Sequence, residues 1–210
     1  SPGTPTGPGE VIDTNSLMLV GLCTAAGALA TTVEVVPDDP SLLADAVRAA
    51  CAAADLVVVG AGSSAGRDDH TASVLAVVGE VLVHGVAVRP GHPVVLGVVA
   101  GTAVLGSPGY PVSAALAFDL FAGPLLAALL GTTVPERPRR TVRLSTDLVS
   151  PAGVEDWVRV RLDASGATPL PGGAGGLAGL AAADGLLRVS AGTASLPAGT
   201  LVEIALLHGT

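Results

Sequence analysis

The chain has 210 residues, half of them apolar, with 13% charged and 28 glycines and 16 prolines. That is a core-forming, turn-punctuated composition and not that of a disordered tail. Its net charge of −8, with every basic residue an arginine, argues against a nucleic-acid or anionic-membrane surface, and four aromatics (Tyr110, Phe118, Phe121, Trp157) are too few for a base-stacking platform. The opening Ser1-Pro2-Gly3, without an initiator Met or a signal-type apolar stretch, reads as an excised fragment or processed product.

Capping-type residues Asp13-Thr14-Asn15-Ser16 precede an apolar run over residues 17–26 that stops at Gly27, which predicts a first helix. Residues 32–36 (TVEVV) alternate and are β-branched, so a strand is expected there, ending at Pro37-Asp38-Asp39-Pro40. A second helix follows, with Asp39 as its cap, Pro40 in its first turn, and Leu43, Ala46, Val47, Ala50 and Ala54 on one face. The unbroken run 56–59 (LVVV) predicts a strand buried on both faces, flowing into the glycine-rich loop 60–66 and a helix over 69–78. Strands are expected near 81–83, 94–98 and 103–105. A long helix is then expected from Pro111 to Leu130. Asp119 and Pro124 interrupt the apolar stretch 112–130, which reads as a buried core helix and not a membrane span. The alternation predicts an α/β fold, a three-layer α/β/α sandwich with a mostly parallel sheet.

The stretch Pro135-Glu136-Arg137-Pro138-Arg139-Arg140 marks a domain boundary, because helix cannot continue through two prolines and the charge balance shifts there. Residues 1–135 hold three arginines against eleven acids, and residues 136–210 hold seven of each. Beyond it, runs at 141–144, 157–162, 186–189 and 201–206 alternate between Gly/Pro turns, which predicts a small all-β domain over 136–210. Cys23 and Cys51 lie in helical patterns with no zinc-type spacing and read as reduced core thiols of a cytoplasmic protein.

Three loops are placed to carry chemistry, because an open α/β sheet binds ligands at the carboxyl ends of its strands. In 60–69, Gly62, Ser63, Ser64 and Gly66 let a ligand approach the backbone, and one of Asp68 and Asp69 is spare if the other caps. In 37–40, Asp38 is spare if Asp39 caps. Two such carboxylates suit a Mg2+ bridging an anionic substrate, although each is equally a solvated turn residue. In 107–113, Pro108 and Pro111 around Gly109 stiffen a turn that carries the single tyrosine, Tyr110, and leads through Ser113 into a helix start able to face an oxyanion. Arg89 adds a rare cation suited to phosphate. Gly62-Ser63-Ser64-Ala65-Gly66 also fits a serine nucleophile elbow, but no suitable acid and then histidine follow it: Asp119 lies within a helix and His208 at the far end. The glycine spacing is wrong for a nicotinamide site.

Five motifs together resemble the molybdopterin molybdenumtransferase family, MoeA and the gephyrin E domain. They are Gly9-Glu10-Val11-Ile12-Asp13-Thr14-Asn15-Ser16, the 37–40 turn, 62–69 (GSSAGRDD), 84–93 (HGVAVRPGHP) and 108–114 (PGYPVSA). They occur in the family's order and spacing across nearly all of residues 9–131, and the β-rich tail, 136–210, resembles the family's C-terminal β-barrel-like domain less specifically. The resemblance implies a molybdopterin-binding domain over 1–135. The implied reaction inserts molybdate into adenylylated molybdopterin with Mg2+-dependent release of AMP. Asp38 and Asp69 match the family's acids, as catalytic and metal-holding residues. Asp13, Asn15, Gly62, Ser63, Ser64, Gly66, Arg89, Pro108, Gly109, Tyr110, Pro111 and Ser113 are the implied cofactor-binding set. A homodimer is implied for the intact protein, with a small-molecule substrate and neither nucleic acid nor membrane as partner; the alternative is a non-catalytic molybdopterin-binding or sensing module of the same fold. Departures from the family pattern are Ala61-Gly62-Ser63-Ser64 for Gly-Gly-Val-Ser, Arg89-Pro90-Gly91-His92-Pro93 for Lys-Pro-Gly-Lys-Pro, and Tyr110 for Asn.

Overall fold

The computed structural model describes residues 5, 7, 12–60, 70–172 and 177–207. They form two compact units, one of Ser1–Val86 with Pro93–Val134 and one of Ala87–His92 with Pro135–Thr210.

In the first unit, α1 (Asn15–Ala25), α2 (Pro40–Cys51), β1 (Leu56–Gly60), α3 (Thr71–Val78) and β2 (Glu80–His84) follow one another. After residues 87–92, which belong to the other unit and carry the short β3 (Val88–Arg89), come β4 (Val95–Val99), β5 (Thr102–Ser107), α4 (Pro111–Ala117) and α5 (Gly123–Leu129). Gly27, at φ +91°, ends α1 in the left-handed region while the Ala28 N–H donates back to the Cys23 carbonyl. Asp39 caps α2, its carboxylate accepting from the Ser41 and Leu42 N–H groups. A π turn, Phe118–Ala122, joins α4 to α5 just ahead of Pro124, a residue with no N–H to give.

The strand order is β1-β5-β4-β2. Side chains on successive strand residues point to opposite faces, and the core divides accordingly. Leu19 of α1, Phe118 and Leu126 pack with Leu105, Val94, Leu56 and Val58 on one face. On the other face, Val47 and Cys51 of α2 and Leu75 of α3 pack with Val95, Val104, Val57 and Val59. This is the α/β/α layering expected from the sequence. The strand directions are more mixed than expected: β1 and β5 are parallel, whereas β4 is antiparallel to both β5 and β2. The connection 85–94, which carries β3, and the tight turn at Ala100-Gly101 contain no helix and return the chain antiparallel, where a parallel arrangement would need helical crossovers. The stretch 111–129 is the one described helix long and apolar enough to cross a membrane, and Val112, Ala114, Leu116, Ala117, Phe118, Ala122, Leu126 and Ala127 on it are buried in this unit.

Residues 32–36, expected as a strand, form none. Val33 is 67% exposed and Val35 is 84% exposed, and no described strand pairs with the segment. A strand exists only as half of a ladder, so an alternating pattern without a neighbour stays extended chain.

The second unit holds β3 with β6 (Arg139–Arg143), β7 (Leu148–Val149), β8 (Glu155–Asp163), β9 (Gly166–Pro169), α6 (Leu177–Ala181), β10 (Gly185–Val189), β11 (Ser195–Leu196) and β12 (Leu201–Leu206). Its main sheet runs β3-β8-β10-β12-β6, β9 pairs with β8, and β7 pairs with β11. Leu144, Val160, Ala167, Leu187, Val189, Val202 and Ile204 form its core.

Candidate functional site

The sequence-derived site residues fall into groups that the fold treats differently. β1 and β5 run parallel and end together, Gly60 opposite Ser107, so the loops that leave them start side by side. The loop after β5 is pinned from α1: the Asn15 side-chain amide Nδ2 donates to the Gly109 carbonyl at 2.7 Å. One hydrogen bond thus brings together the Asp13–Ser16 turn and the 107–113 turn, 94 residues apart in sequence. The other end of that amide, Asn15 Oδ1, is buried with no hydrogen-bond partner among the described residues, and so is Ser107 Oγ at the tip of β5.

Around this clamp, Asp13 accepts from the Ser16 N–H at 3.1 Å and from the Ser16 hydroxyl. Partial burial pushes its pKa up, but the hydrogen bonds from Ser16 and Asn15 outweigh it and hold the carboxyl below its ordinary value. Pro108 and Ser113 are buried and Pro111 occupies the first turn of α4. Tyr110 projects its ring with 61% of its surface exposed.

The 37–40 turn divides its two acids as sequence reasoning anticipated. Asp39 is spent on the cap, accepting from the Ser41 hydroxyl at 2.6 Å and two backbone N–H groups, with the Ser41 hydroxyl bond the largest cause of its lowered pKa. Asp38 is exposed and makes no hydrogen bond or ion pair among the described residues. It does not sit at the end of a strand, since residues 32–36 form none. The charge of His70, at the start of α3, also lowers the Asp39 pKa. Gly62, Ser63, Ser64, Gly66 and Asp69 lie outside the described residues, and among the described residues no three His, Cys, Asp or Glu side chains cluster as a metal site.

Arg89 belongs to the second unit. Its Nε and Nη2 donate to Asp156 Oδ1 and Oδ2 at 3.1 and 3.0 Å, and the Ser150 hydroxyl donates to the same carboxylate at 3.2 Å. Asp156 is nearly inaccessible while the Arg89 side chain is 52% exposed. A protein carboxylate therefore holds much of the guanidinium that the sequence assigned to a substrate phosphate. Sequence reasoning passed over Ser107 and His70. The signal for Ser107 was a hydroxyl closing an otherwise apolar strand, and for His70 its place directly after Asp68 and Asp69.

Comparison with known proteins agrees over both units. Residues 1–128 match the family model for a probable molybdopterin binding domain, and residues 141–207 match the MoeA C-terminal region, domain IV. Molybdopterin molybdenumtransferase 2 of Mycobacterium tuberculosis is 33% identical over 97% of this chain and 53% of its own length. A molybdopterin biosynthesis protein of Methanocaldococcus jannaschii is 31% identical over 95% of this chain and 48% of its own length. Among solved structures, the molybdopterin biosynthesis MoeA protein of Pyrococcus horikosii superposes with a TM-score of 0.86 at 32% identity, covering 100% of this chain and 52% of that one. The chain thus spans about half the length of the curated relatives it matches.

Proposed function

The chain belongs to the molybdopterin molybdenumtransferase (MoeA) family, and from that premise we propose that it is the molybdopterin-binding part of an enzyme of molybdenum-cofactor synthesis. The proposed reaction inserts molybdate, a substrate, into the dithiolene of adenylylated molybdopterin with Mg2+-dependent release of AMP. Residues 1–135 form the binding domain in this reading, and 136–210 a structural β domain. The observation that carries it is the Asn15–Gly109 clamp at the carboxyl end of β5, beside the end of β1, the place where an open α/β sheet takes its ligand.

Each group has a proposed task. Asn15 Oδ1 is a buried acceptor left for an N–H of the pterin, because its amide nitrogen is already committed to Gly109. Tyr110 offers an exposed ring for a flat heterocycle. Backbone N–H groups of 60–66, with Gly62, Ser63, Ser64 and Gly66, cradle the phosphates. The donor chemistry fits Mg2+: Asp38 is an exposed carboxylate that no cap consumes, and Asp38 and Asp69 are the residues that would hold the ion. When bound, Mg2+ supplies charge neutralisation at the phosphoryl oxygens. The cysteines Cys23 and Cys51 are free thiols, raised in pKa by burial, in keeping with a cytoplasmic protein; a homodimer is proposed for the intact enzyme.

The test uses the intact enzyme with adenylylated molybdopterin, Mg2+ and molybdate, following AMP release. Asp38→Ala and Asp69→Ala are expected to cut the rate by about a hundredfold or more. If both variants bind the nucleotide and release AMP at the wild-type rate, the catalytic assignment is wrong. If the wild-type protein binds but releases nothing, the chain is a binding or sensing module.

A further inference from the structure

Two buried polar atoms go unanswered at the carboxyl end of β5, and both lie on the same face of the sheet. Ser107 is wholly inaccessible, and its hydroxyl Oγ has no hydrogen-bond partner among the described residues. Its side chain shares a face with Leu105, because strand residues two apart point the same way. Leu105 packs with Leu19 of α1, Val94 and Phe118, whereas a side chain at Gly106 would run into the Thr71 methyl and Val95 on the α3 side. Ser107 Oγ thus lies on the α1 face of β5. Asn15 opens α1 and reaches Gly109, two residues beyond Ser107, so its own orphaned atom, Oδ1, lies at the same end of that face.

Packing does not account for the hydroxyl. The layer around it is apolar, and alanine would sit there without stranding a donor. A buried hydroxyl with no partner costs stability in the free protein, and local rules are broken in this way where a ligand supplies the missing bond. The pair also limits what that ligand group can be. Asn15 Oδ1 only accepts, whereas Ser107 can donate. Asp13, two residues ahead of Asn15, has its carboxyl held below its ordinary value and is charged at neutral pH. An acceptor and a carboxylate so close in the chain disfavour a phosphate, while a neutral group with an N–H beside a carbonyl answers both orphaned atoms at once.

We propose that Ser107 is a specificity-determining contact for the heterocycle of the ligand: its hydroxyl donates to the carbonyl of the pterin's amide edge, while Asn15 Oδ1 accepts the adjacent ring N–H. The inference rests on the proposed function and deepens it, since it separates a neutral, edge-reading subsite at 15 and 107 from the phosphate subsite of the glycine-rich loop. Asn15 is half-buried and Gly109 is exposed, so the orphaned pair lies one step in from solvent.

Ser107→Ala in the intact enzyme distinguishes a ligand contact from a structural one, because the two roles move the free protein in opposite directions. With no internal bond to lose, the variant is expected to melt at or above the wild-type temperature in the absence of ligand. It is expected to bind adenylylated molybdopterin about fivefold or more weakly in titration calorimetry. A melting temperature about 3 °C or more below that of wild type overturns the proposal, since the hydroxyl is then bonded within the protein. Equal affinity of variant and wild type also overturns it, and leaves the proposed function standing. A wild-type protein that binds no adenylylated molybdopterin removes the proposed function, and this inference with it.

Discussion

The pairing of Arg89 with Asp156 gives a quantitative test of how the segment 87–92 is held in the β unit. Asp156 is nearly inaccessible and accepts three hydrogen bonds, two from Arg89 and one from Ser150. Arg89→Ala strands a buried carboxylate with only a hydroxyl for company, and breaking such a pair from that side costs about 3 kcal/mol. Asp156→Ala strands less: the guanidinium is half exposed and recovers water, so its cost is discounted to about 1–2 kcal/mol, and the Ser150 hydroxyl, itself buried, adds about 1 kcal/mol for its lost partner. The double variant removes both charges at once and is expected to cost at least about 1 kcal/mol less than the sum of the two. The single tryptophan, Trp157, follows Asp156 on β8, so its fluorescence in urea reports this unit directly. Additive costs, with a coupling below about 0.3 kcal/mol, would refute the view that the ion pair fastens the segment.

Asp39→Ala removes the α2 cap and is expected to lower the urea midpoint of unfolding, whereas Asp38→Ala, one residue away and without a hydrogen bond or ion pair among the described residues, is expected to leave it unchanged. Gly106→Ala would set a methyl 2.9 Å from the Thr71 methyl and 3.0 Å from Val95 Cβ, and a loss of about 1–3 kcal/mol is expected in the same assay. Glu155 accepts from Arg188 and from the Trp157 indole; burial raises its pKa, but these bonds outweigh it and leave the value below the ordinary 4.5. A carboxylate lowered on folding contributes stability that is complete above its ordinary value and lost as pH falls through the lowered one. Unfolding followed between pH 6 and 3 should therefore show wild type losing its advantage over Glu155→Gln only below about pH 4.5. A constant advantage down to pH 3 would contradict this.

What the sequence made legible was local or strongly periodic. The Asp39 cap and the Gly27 stop follow from a few neighbouring residues and stand as expected, and the apolar run of β1 forms its strand but is half-buried where burial on both faces was expected. Residues 32–36 show the limit, since their pattern is that of a strand but pairing depends on a neighbour that no local signal describes. Arg89 shows another. A two-residue strand, β3, is too short to read, so nothing in the sequence revealed that this arginine leaves the first unit and meets Asp156, 67 residues on. For the site, the 107–113 turn was legible from its prolines and glycine. Its attachment to α1 through Asn15 was not, because a side-chain amide gives no hint of which carbonyl it will find.

The central claim is that the Asn15 clamp and the turn it holds receive a molybdopterin nucleotide. Titration calorimetry of the intact enzyme with adenylylated molybdopterin tests it most directly. The account predicts that Asn15→Ala weakens binding by roughly tenfold or more while circular dichroism shows the protein still folded, since a buried acceptor and the loop's anchor are lost together. Equal affinity of wild type and a folded Asn15→Ala variant would contradict it.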